Sequence, residues 1–143
     1  MGYDPDVWGP HYWFVIHTMA LTYPINPNDT TKKKYYRFIT DLPLFLPNKE
    51  IGNKFSEFLD KYPVTPYLDS RDSFVKWTHF IHNKINQMLK KPQITLLEFY
   101  NIHYEKYKPK NIKNEEDRQL KEKIAYSSIV AVTLAFILYN YKK

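Results

Sequence analysis

The sequence predicts an all-α fold, a four-helix bundle with a short fifth helix, followed by a C-terminal transmembrane helix. Apolar residues recur at helical spacing in each long segment between the prolines. The chain has only 3 glycines but many lysines, leucines and phenylalanines, which favours helices over hairpins. Its last long run, residues 124–141, carries no charge. A length of 143 residues therefore suits one domain and a tail.

Proline and capping residues divide the bundle into its helices. We expect helices over residues 8–22, 31–46, 50–60, 70–89 and 95–107. Asp4 or Asp6 can cap the first helix, and Ser70 or Asp69 can cap the fourth. Pro43 predicts a kink or an early end in the second helix, because proline lacks the backbone N–H that a helix interior needs.

The chain divides into three predicted segments. Residues 1–107 form the bundle. Residues 108–123 form a linker, because the polar stretch at its start shows no periodicity. Residues 124–141 form a transmembrane tail anchor, since 18 helical residues span about 27 Å, close to the thickness of a bilayer core. Lysines flank this run, and tyrosines lie near its ends. Its serines, threonine and asparagine leave open a buried sixth helix, and we expect the membrane.

Composition and charge narrow the classes of function. The net charge is +6, and the lysines are scattered, which is typical of a solvated surface and makes nucleic acid an unlikely partner. The one dense run, residues 32–34, suits an exposed helix start, or else an anionic lipid or acidic partner. Without cysteine, the chain can form no disulfide, thiolate ligand or redox thiol. No His-Glu-x-x-His is present, so no metal site is expected.

The predicted fourth helix has two faces. Its apolar seam consists of Phe74, Trp77, Ile81, Ile85 and Met88. The roughly opposite side carries His79, His82, Asn83, Asn86 and Lys90. This second face is either solvated or directed at a ligand. Solvated helix faces are more often built from Glu, Lys and Gln than from imidazoles and amides.

Two segments together resemble a known family. Residues 8–17 read WGPHYWFVIH, and residues 70–86 read SRDSFVKWTHFIHNKIN. They resemble the first and last framework helices of the Erv/ALR family of FAD-linked sulfhydryl oxidases, most of all the versions carried by large DNA viruses. The resemblance covers about residues 8–100. It implies a helical bundle that cradles FAD between these two helices.

The resemblance also implies a set of cofactor-binding positions. By matching position these are Trp8, Trp13, His17, Trp77, His82, Asn83, Asn86 and Lys90 or Lys91. Indole and imidazole rings can stack on flat heterocycles, amides supply paired donors and acceptors, and lysine can neutralise phosphates. The tryptophans could equally pack a bundle core without a flavin, and His17 could be a core histidine.

The chain departs from the family at its Cys-x-x-Cys pair, whose places are taken by Asn48 and Ile51. No catalytic residue is therefore expected. The prediction is a non-catalytic, membrane-anchored viral protein with a structural or assembly role in the virion or a host assembly membrane. Viral structural proteins are its expected partners, and a homodimer through the bundle is a further option. The alternative is an FAD-binding thiol oxidoreductase component that uses cysteines from a partner chain.

Overall fold

The computed structural model describes residues 3–141, which contain six α-helices and no β-strand. The helices are α1 Pro5–Leu21, α2 Asp29–Asp41, α3 Lys49–Lys61, α4 Arg71–Met88, α5 Leu96–Tyr107 and α6 Lys110–Tyr141. Two short 3-10 helices, Leu42–Phe45 and Thr65–Tyr67, lie between them. The predicted all-α class is confirmed.

Side-chain caps set where the bundle helices begin. The Asp4 side chain accepts a hydrogen bond from the backbone N–H of Asp6 at 2.8 Å, which starts α1 three residues before the predicted bound. Ser70 accepts from Ser73 N–H at 3.2 Å and caps α4. These bonds satisfy donors that a helix start leaves without a partner.

The α2 helix ends at Asp41, ahead of Pro43, and the predicted run to residue 46 continues only as a 3-10 helix.

The chain packs as two units, residues 3–99 and 100–141. In the first unit, α4 packs against both α1 and α3, and the 3-10 helix Leu42–Phe45 contacts α2 and α3. The core of this unit is made of buried apolar side chains from every one of these helices. The most enclosed are Ala20, Tyr23, Ile39, Phe74, Val75, Ile81 and Phe99.

One close backbone approach joins α3 to the preceding 3-10 helix. A Cβ atom placed on Gly52 would lie 2.7 Å from the carbonyl oxygen of Pro43. That distance is shorter than a non-bonded contact allows. Glycine at position 52 therefore lets the first turn of α3 rest directly on the backbone at Pro43.

The second unit contains residues 108–123, the predicted linker. Helix α6 begins at Lys110, so most of the predicted linker 108–123 is helical. This stretch is polar on all sides and is held by ion pairs one turn apart. Arg118 pairs with Glu115 at 2.6 Å and with Glu122 at 3.0 Å. Such pairs support a helix that has no apolar stripe, so this helix has no apolar periodicity from which it could be predicted.

Within the described residues, α6 is the one helix whose length and composition suit a membrane crossing. Its most apolar 18-residue window has a mean hydropathy of 1.6, and none of that window is buried against the rest of the chain. The division into bundle, linker and tail anchor stays a prediction. Lys142 and Lys143 at the predicted far flank lie outside the described residues.

An ion-paired lysine joins the end of α5 to the beginning of α6. The ammonium of Lys108 lies 2.9 Å from a carboxylate oxygen of Glu105 and 2.5 Å from one of Glu116, and its side chain is 5% exposed. Hydrogen bonds to Glu116 and then Glu105 raise the pKa of Lys108 above its ordinary value. Lys108 stays protonated at neutral pH and links the two helices.

Candidate functional site

A cluster of aromatic rings lies where α1 packs against α4. We call Trp13, His17, His82 and Phe99 the ring cluster. Trp13 and His17 are four residues apart and share one face of α1. The Trp13 and His82 rings stack with centroids 4.1 Å apart and planes at 15°. The Trp13 and His17 rings stack at 5.4 Å and 20°. Phe99 packs edge-on against His17 at 4.7 Å.

The two histidines of the cluster are joined directly. His17 Nε2 lies 2.9 Å from His82 Nδ1. One of these nitrogens must carry a proton and the other must be bare, because a hydrogen bond needs one donor and one acceptor. His17 is buried, whereas Trp13 and His82 are half-buried. The cluster thus combines a closed inner wall with flat rings that reach the surface, which suits stacking on a planar ligand.

The other two predicted tryptophans have packing contacts. Trp77 is 2% exposed and donates its indole N–H to the Tyr62 carbonyl at 3.0 Å. Trp8 packs edge-on against Tyr12, with centroids 5.3 Å apart, and donates its N–H to the Tyr3 carbonyl at 3.1 Å. The structure therefore places Trp13, His17 and His82 together, and gives Trp8 and Trp77 partners of their own.

The remaining predicted positions lie on the C-terminal half of α4 and just after it. Asn83 bonds the backbone of Ile94, and Asn86 is 9% exposed. Lys90 is exposed and has a φ of 55°, a left-handed conformation that commonly follows a helix end. Lys91 forms an ion pair with the carboxylate of Asp6. Through this ion pair, Lys91 ties the segment after α4 to the start of α1.

Two residues of the site were outside the predicted binding set. His79 was expected only on the polar side of its helix, and its Nε2 lies 2.8 Å from the Ile94 carbonyl oxygen. Phe99 was not predicted. A signal for it exists, because Thr95 and Glu98 form a capping box that begins α5 and puts Phe99 on its first turn.

The turn that opens α3 holds the two positions predicted to replace the cysteines. Asn48 caps the helix, its side-chain oxygen accepting from Ile51 N–H at 3.1 Å. Ile51 is 5% exposed. One turn further on, the Phe55 ring lies 6.2 Å from that of Trp13. The α3 helix thus reaches the ring cluster through Phe55, and its first turn carries a cap and a buried aliphatic side chain.

Metal ligands are not grouped in this part of the chain. Among residues 3–141, no three His, Cys, Asp or Glu side chains lie close enough together to hold a metal ion.

Comparison with known proteins identifies the family. Residues 10–108 match the model of the Erv1/Alr family. A probable FAD-linked sulfhydryl oxidase of Acanthamoeba polyphaga mimivirus is 38% identical over 96 residues, which cover 66% of this chain and 67% of that protein. An FAD-linked sulfhydryl oxidase of African swine fever virus (isolate Pig/Kenya/KEN-50/1950) is 31% identical over 96 residues, covering 67% and 79%. The mitochondrial FAD-linked sulfhydryl oxidase of Schizosaccharomyces pombe is 32% identical over 90 residues, and the match spans 50% of its length.

Solved structures agree with the sequence matches. The yeast Erv1 core superposes with a TM-score of 0.62 at 24% identity, over 76% of this chain and 86% of that one. The FAD-binding domain of Erv1 from Saccharomyces cerevisiae gives a TM-score of 0.61 at 26% identity, over 65% and 87%. The family match covers more than half of the residues, and the paired rings of α1 and α4 lie within it. The chain belongs to the Erv1/Alr family.

Proposed function

We propose that this chain is an FAD-binding member of the Erv1/Alr family that does not oxidise thiols by itself. One observation carries the proposal. The Trp13–His17–His82 stack is present, while the turn at Asn48 and Ile51 holds a helix cap and a core side chain instead of a redox pair. The site thus keeps residues suited to a flavin and has none suited to thiol chemistry.

The chemistry of the side chains fits FAD. Trp13 and His82 offer stacked, half-buried rings to a planar ring system, and His17 closes the inner side. Lys90 is exposed and can neutralise a phosphate, whereas Lys91 would have to exchange Asp6 for the phosphate. When bound, the flavin supplies an acceptor for two electrons. The rings, Asn86 and these lysines are the residues we assign to holding it.

Thiol oxidation needs groups that this chain lacks. A thiolate must attack, and a second sulfur must complete the disulfide. The amide of Asn48 has no accessible redox couple, and it is engaged with the Ile51 N–H. The side chain of Ile51 is hydrocarbon and buried. No other residue type in the chain supplies the missing pair, because the sequence contains no cysteine.

Two measurements on the purified protein test the proposal. Protein isolated with FAD should show the visible absorbance bands of a bound flavin after gel filtration. Oxygen consumption with dithiothreitol should equal that of a blank with FAD alone. A colourless protein that takes up no FAD contradicts the binding half of the proposal. Turnover above the blank contradicts the other half.

The double variant Asn48→Cys with Ile51→Cys restores the missing cysteine pair and so tests whether its absence prevents thiol oxidation. Both sulfurs would then lie on the first turn of α3, the turn before Phe55 contacts Trp13. We expect dithiothreitol to bleach the bound flavin in the double variant and to leave it oxidised in Asn48→Cys alone. The single variant is the control, since it lacks the second sulfur. If dithiothreitol bleaches the flavin of the wild type as fast as that of the double variant, the absent cysteine pair is not what prevents flavin reduction.

We extend the proposal to a membrane-attached, structural or assembly role in a large DNA virus, with residues 124–141 as the anchor. Relatives from mimivirus, African swine fever virus and Invertebrate iridescent virus 3 support the viral setting. The exposed apolar half of α6 supports the anchor. The partners we expect are viral structural proteins.

Charge substitutions in α6 test the anchor. Leu134→Lys places a charge in the middle of the proposed span, which costs about 3 kcal/mol in a bilayer. Leu120→Lys makes the same change on the same helix outside the span. The wild-type chain and Leu120→Lys should stay with membranes after a carbonate wash, and Leu134→Lys should be released. A wild-type chain that is soluble without detergent contradicts the anchor.

A further inference from the structure

We infer that His79 and Asn83 are positioning residues that fasten the backbone of Ile94 to α4 and so hold Phe99 against the ring cluster. The inference rests on the proposed function, in which the ring cluster binds FAD. It assigns Asn83, a cofactor ligand by family resemblance, to the wall of the site. It adds His79, which the resemblance does not mark.

The hydrogen bonds of Ile94 determine how the Asn83 amide is oriented. Ile94 N–H lies 3.0 Å from Asn83 Oδ1. Only an oxygen can accept this proton, so the amide nitrogen must lie on the other side. There it donates to the Ile94 carbonyl at 2.8 Å. One side chain thus satisfies both backbone groups of a residue that belongs to no helix.

His79 adds a third bond to the same residue. Its Nε2 lies 2.8 Å from the Ile94 carbonyl oxygen, which has two lone pairs and can accept from both side chains. This bond requires the tautomer with its proton on Nε2. The amide nitrogen of Asn83 is 3.2 Å from that same nitrogen. Both groups are then donors that converge on one carbonyl, and the contact between them is not itself a hydrogen bond.

The fastened residue leads directly to Phe99. The capping box of Thr95 and Glu98 begins immediately after Ile94, and Phe99 follows on the first turn of α5. Phe99 is fully buried. Its ring packs edge-on against His17 at 4.7 Å and against His79 at 5.7 Å. Freeing Ile94 therefore loosens the side chain that closes the ring cluster on the side of His17.

The bonds to Ile94 also limit what Asn83 can give a ligand. The amide has two N–H donors and one oxygen with two lone pairs. One donor and one lone pair are used by Ile94. Without breaking these two bonds, a flavin could use only the remaining donor and lone pair of the amide. The geometry favours a side chain that shapes the pocket and keeps its own backbone contacts.

Backbone amide exchange and flavin affinity in the full chain test the inference. Asn83→Asp keeps the acceptor for Ile94 N–H and replaces the donor to the Ile94 carbonyl by an oxygen that repels it. In flavin-free protein we expect faster hydrogen exchange over residues 91–99, a melting temperature lower by about 5 °C, and FAD binding about tenfold weaker. Gln87→Glu is the matched control, because it makes the same amide-to-acid change at an exposed position of α4. It should leave the exchange of residues 91–99 unchanged.

Variants of His79 separate positioning from general destabilisation. His79→Gln keeps an N–H donor for the Ile94 carbonyl, and His79→Ala removes it. We expect His79→Gln to recover most of the exchange protection and FAD affinity that His79→Ala loses.

Two outcomes would overturn the inference. In one, Asn83→Asp abolishes FAD binding while exchange over residues 91–99 stays as in wild type, which makes Asn83 a direct ligand. In the other, His79→Gln and His79→Ala behave alike. A wild-type protein that binds no FAD contradicts the proposed function instead, and the exchange rates of the flavin-free variants still decide the role of His79 and Asn83.

Discussion

The ring cluster and the first turn of α3 are both places where the family resemblance predicts chemistry, and they differ in what remains there. In the ring cluster, the expected Trp13, His17 and His82 contact one another. At the start of α3, the expected sulfurs are absent, and Asn48 and Ile51 serve the helix and the core. The rings expected from the resemblance therefore lie together, whereas the expected sulfur positions hold a helix cap and a core side chain.

The replacement at α3 has a physical advantage for the fold. An asparagine cap stabilises a helix by about 1 kcal/mol, and burying an isoleucine side chain contributes roughly 2 kcal/mol. A cysteine pair at these positions would provide a weaker helix cap and bury less apolar surface. Asn48 and Ile51 therefore favour the stability of the turn, whereas the ring cluster holds polar rings where a plain core could hold aliphatic side chains.

The sharpest test of this contrast is Trp13→Ala. We expect a loss of about 3 kcal/mol in the free energy of unfolding, because a large stacked side chain is removed between two helices. Bound FAD should no longer raise stability. Urea denaturation with and without FAD measures both effects.

Phe58→Ala is the control for Trp13→Ala, since Phe58 is also a half-buried aromatic side chain, packs on Tyr62 and lies outside the predicted cofactor-binding set. It should lower stability and keep the increase in stability on FAD binding. If both variants lose that increase alike, the ring cluster has no special relation to the cofactor.

The next test concerns the packing of the α3 turn. Gly52→Ala places a Cβ atom 2.7 Å from the Pro43 carbonyl oxygen, and overpacking of this kind costs about 2 kcal/mol. Gly9→Ala is the control without a close contact. It lies in α1, and apart from its chain neighbours no atom lies within 4 Å of the added Cβ. Alanine gains helix propensity there and meets the restriction that Pro10 imposes on the residue before it, so stability should change by less than about 1 kcal/mol. Chemical denaturation of both variants measures the pair. Equal shifts would mean that the approach of α3 to Pro43 is not tight.

The sequence predicted much of the bundle because its signals are local. Proline and capping residues mark helix ends, so α3, α4 and α5 were placed within a residue or so of their bounds. The residues of the ring cluster could be predicted for a different reason. Trp13 and His17 are one turn apart, and the family resemblance paired them with His82 across the bundle. Periodicity alone could not make that pairing.

What the sequence missed depends on contacts between distant segments or on polar helices. The bond from His79 to Ile94 joins positions 15 residues apart through a loop, and no spacing rule predicts it. Residues 110–123 form a helix through ion pairs such as Arg118 with Glu122, and these leave no apolar period to detect. Every cofactor role that the resemblance implies stays a prediction, for Trp8 and Trp77 as for the ring cluster.

A smaller effect is expected at the cap of α3 itself. Asn48→Ala removes the acceptor for Ile51 N–H and should cost about 1 kcal/mol. Asn48→Asp keeps the acceptor and should stay close to wild type. Thermal melting of the two variants makes the comparison. A neutral Asn48→Ala would show that Asn48 is not retained for the helix and would weaken the contrast with the ring cluster.

The smallest expected effect is a difference in how the stability contributed by two helix caps depends on pH. The capping box beside Phe99 titrates, whereas the amide cap of α3 does not. A hydrogen bond from Thr95 N–H, at 2.6 Å, and a second one with the Thr95 side chain lower the pKa of Glu98 below its ordinary value. A carboxyl whose pKa is lower in the folded state stabilises the fold above its unfolded pKa, and this contribution disappears as the pH falls through the folded value.

Glu98→Gln can accept the same hydrogen bond without titrating. The stability difference between wild type and Glu98→Gln should therefore be largest near neutral pH and should shrink below about pH 4.5. The difference between wild type and Asn48→Ala should not follow this titration, because neither side chain carries a proton that is lost in this range. Urea denaturation at several pH values from neutral to acidic measures both differences. A Glu98→Gln difference that stays constant with pH would mean that the capping box contributes no charge-dependent stability to the segment that positions Phe99.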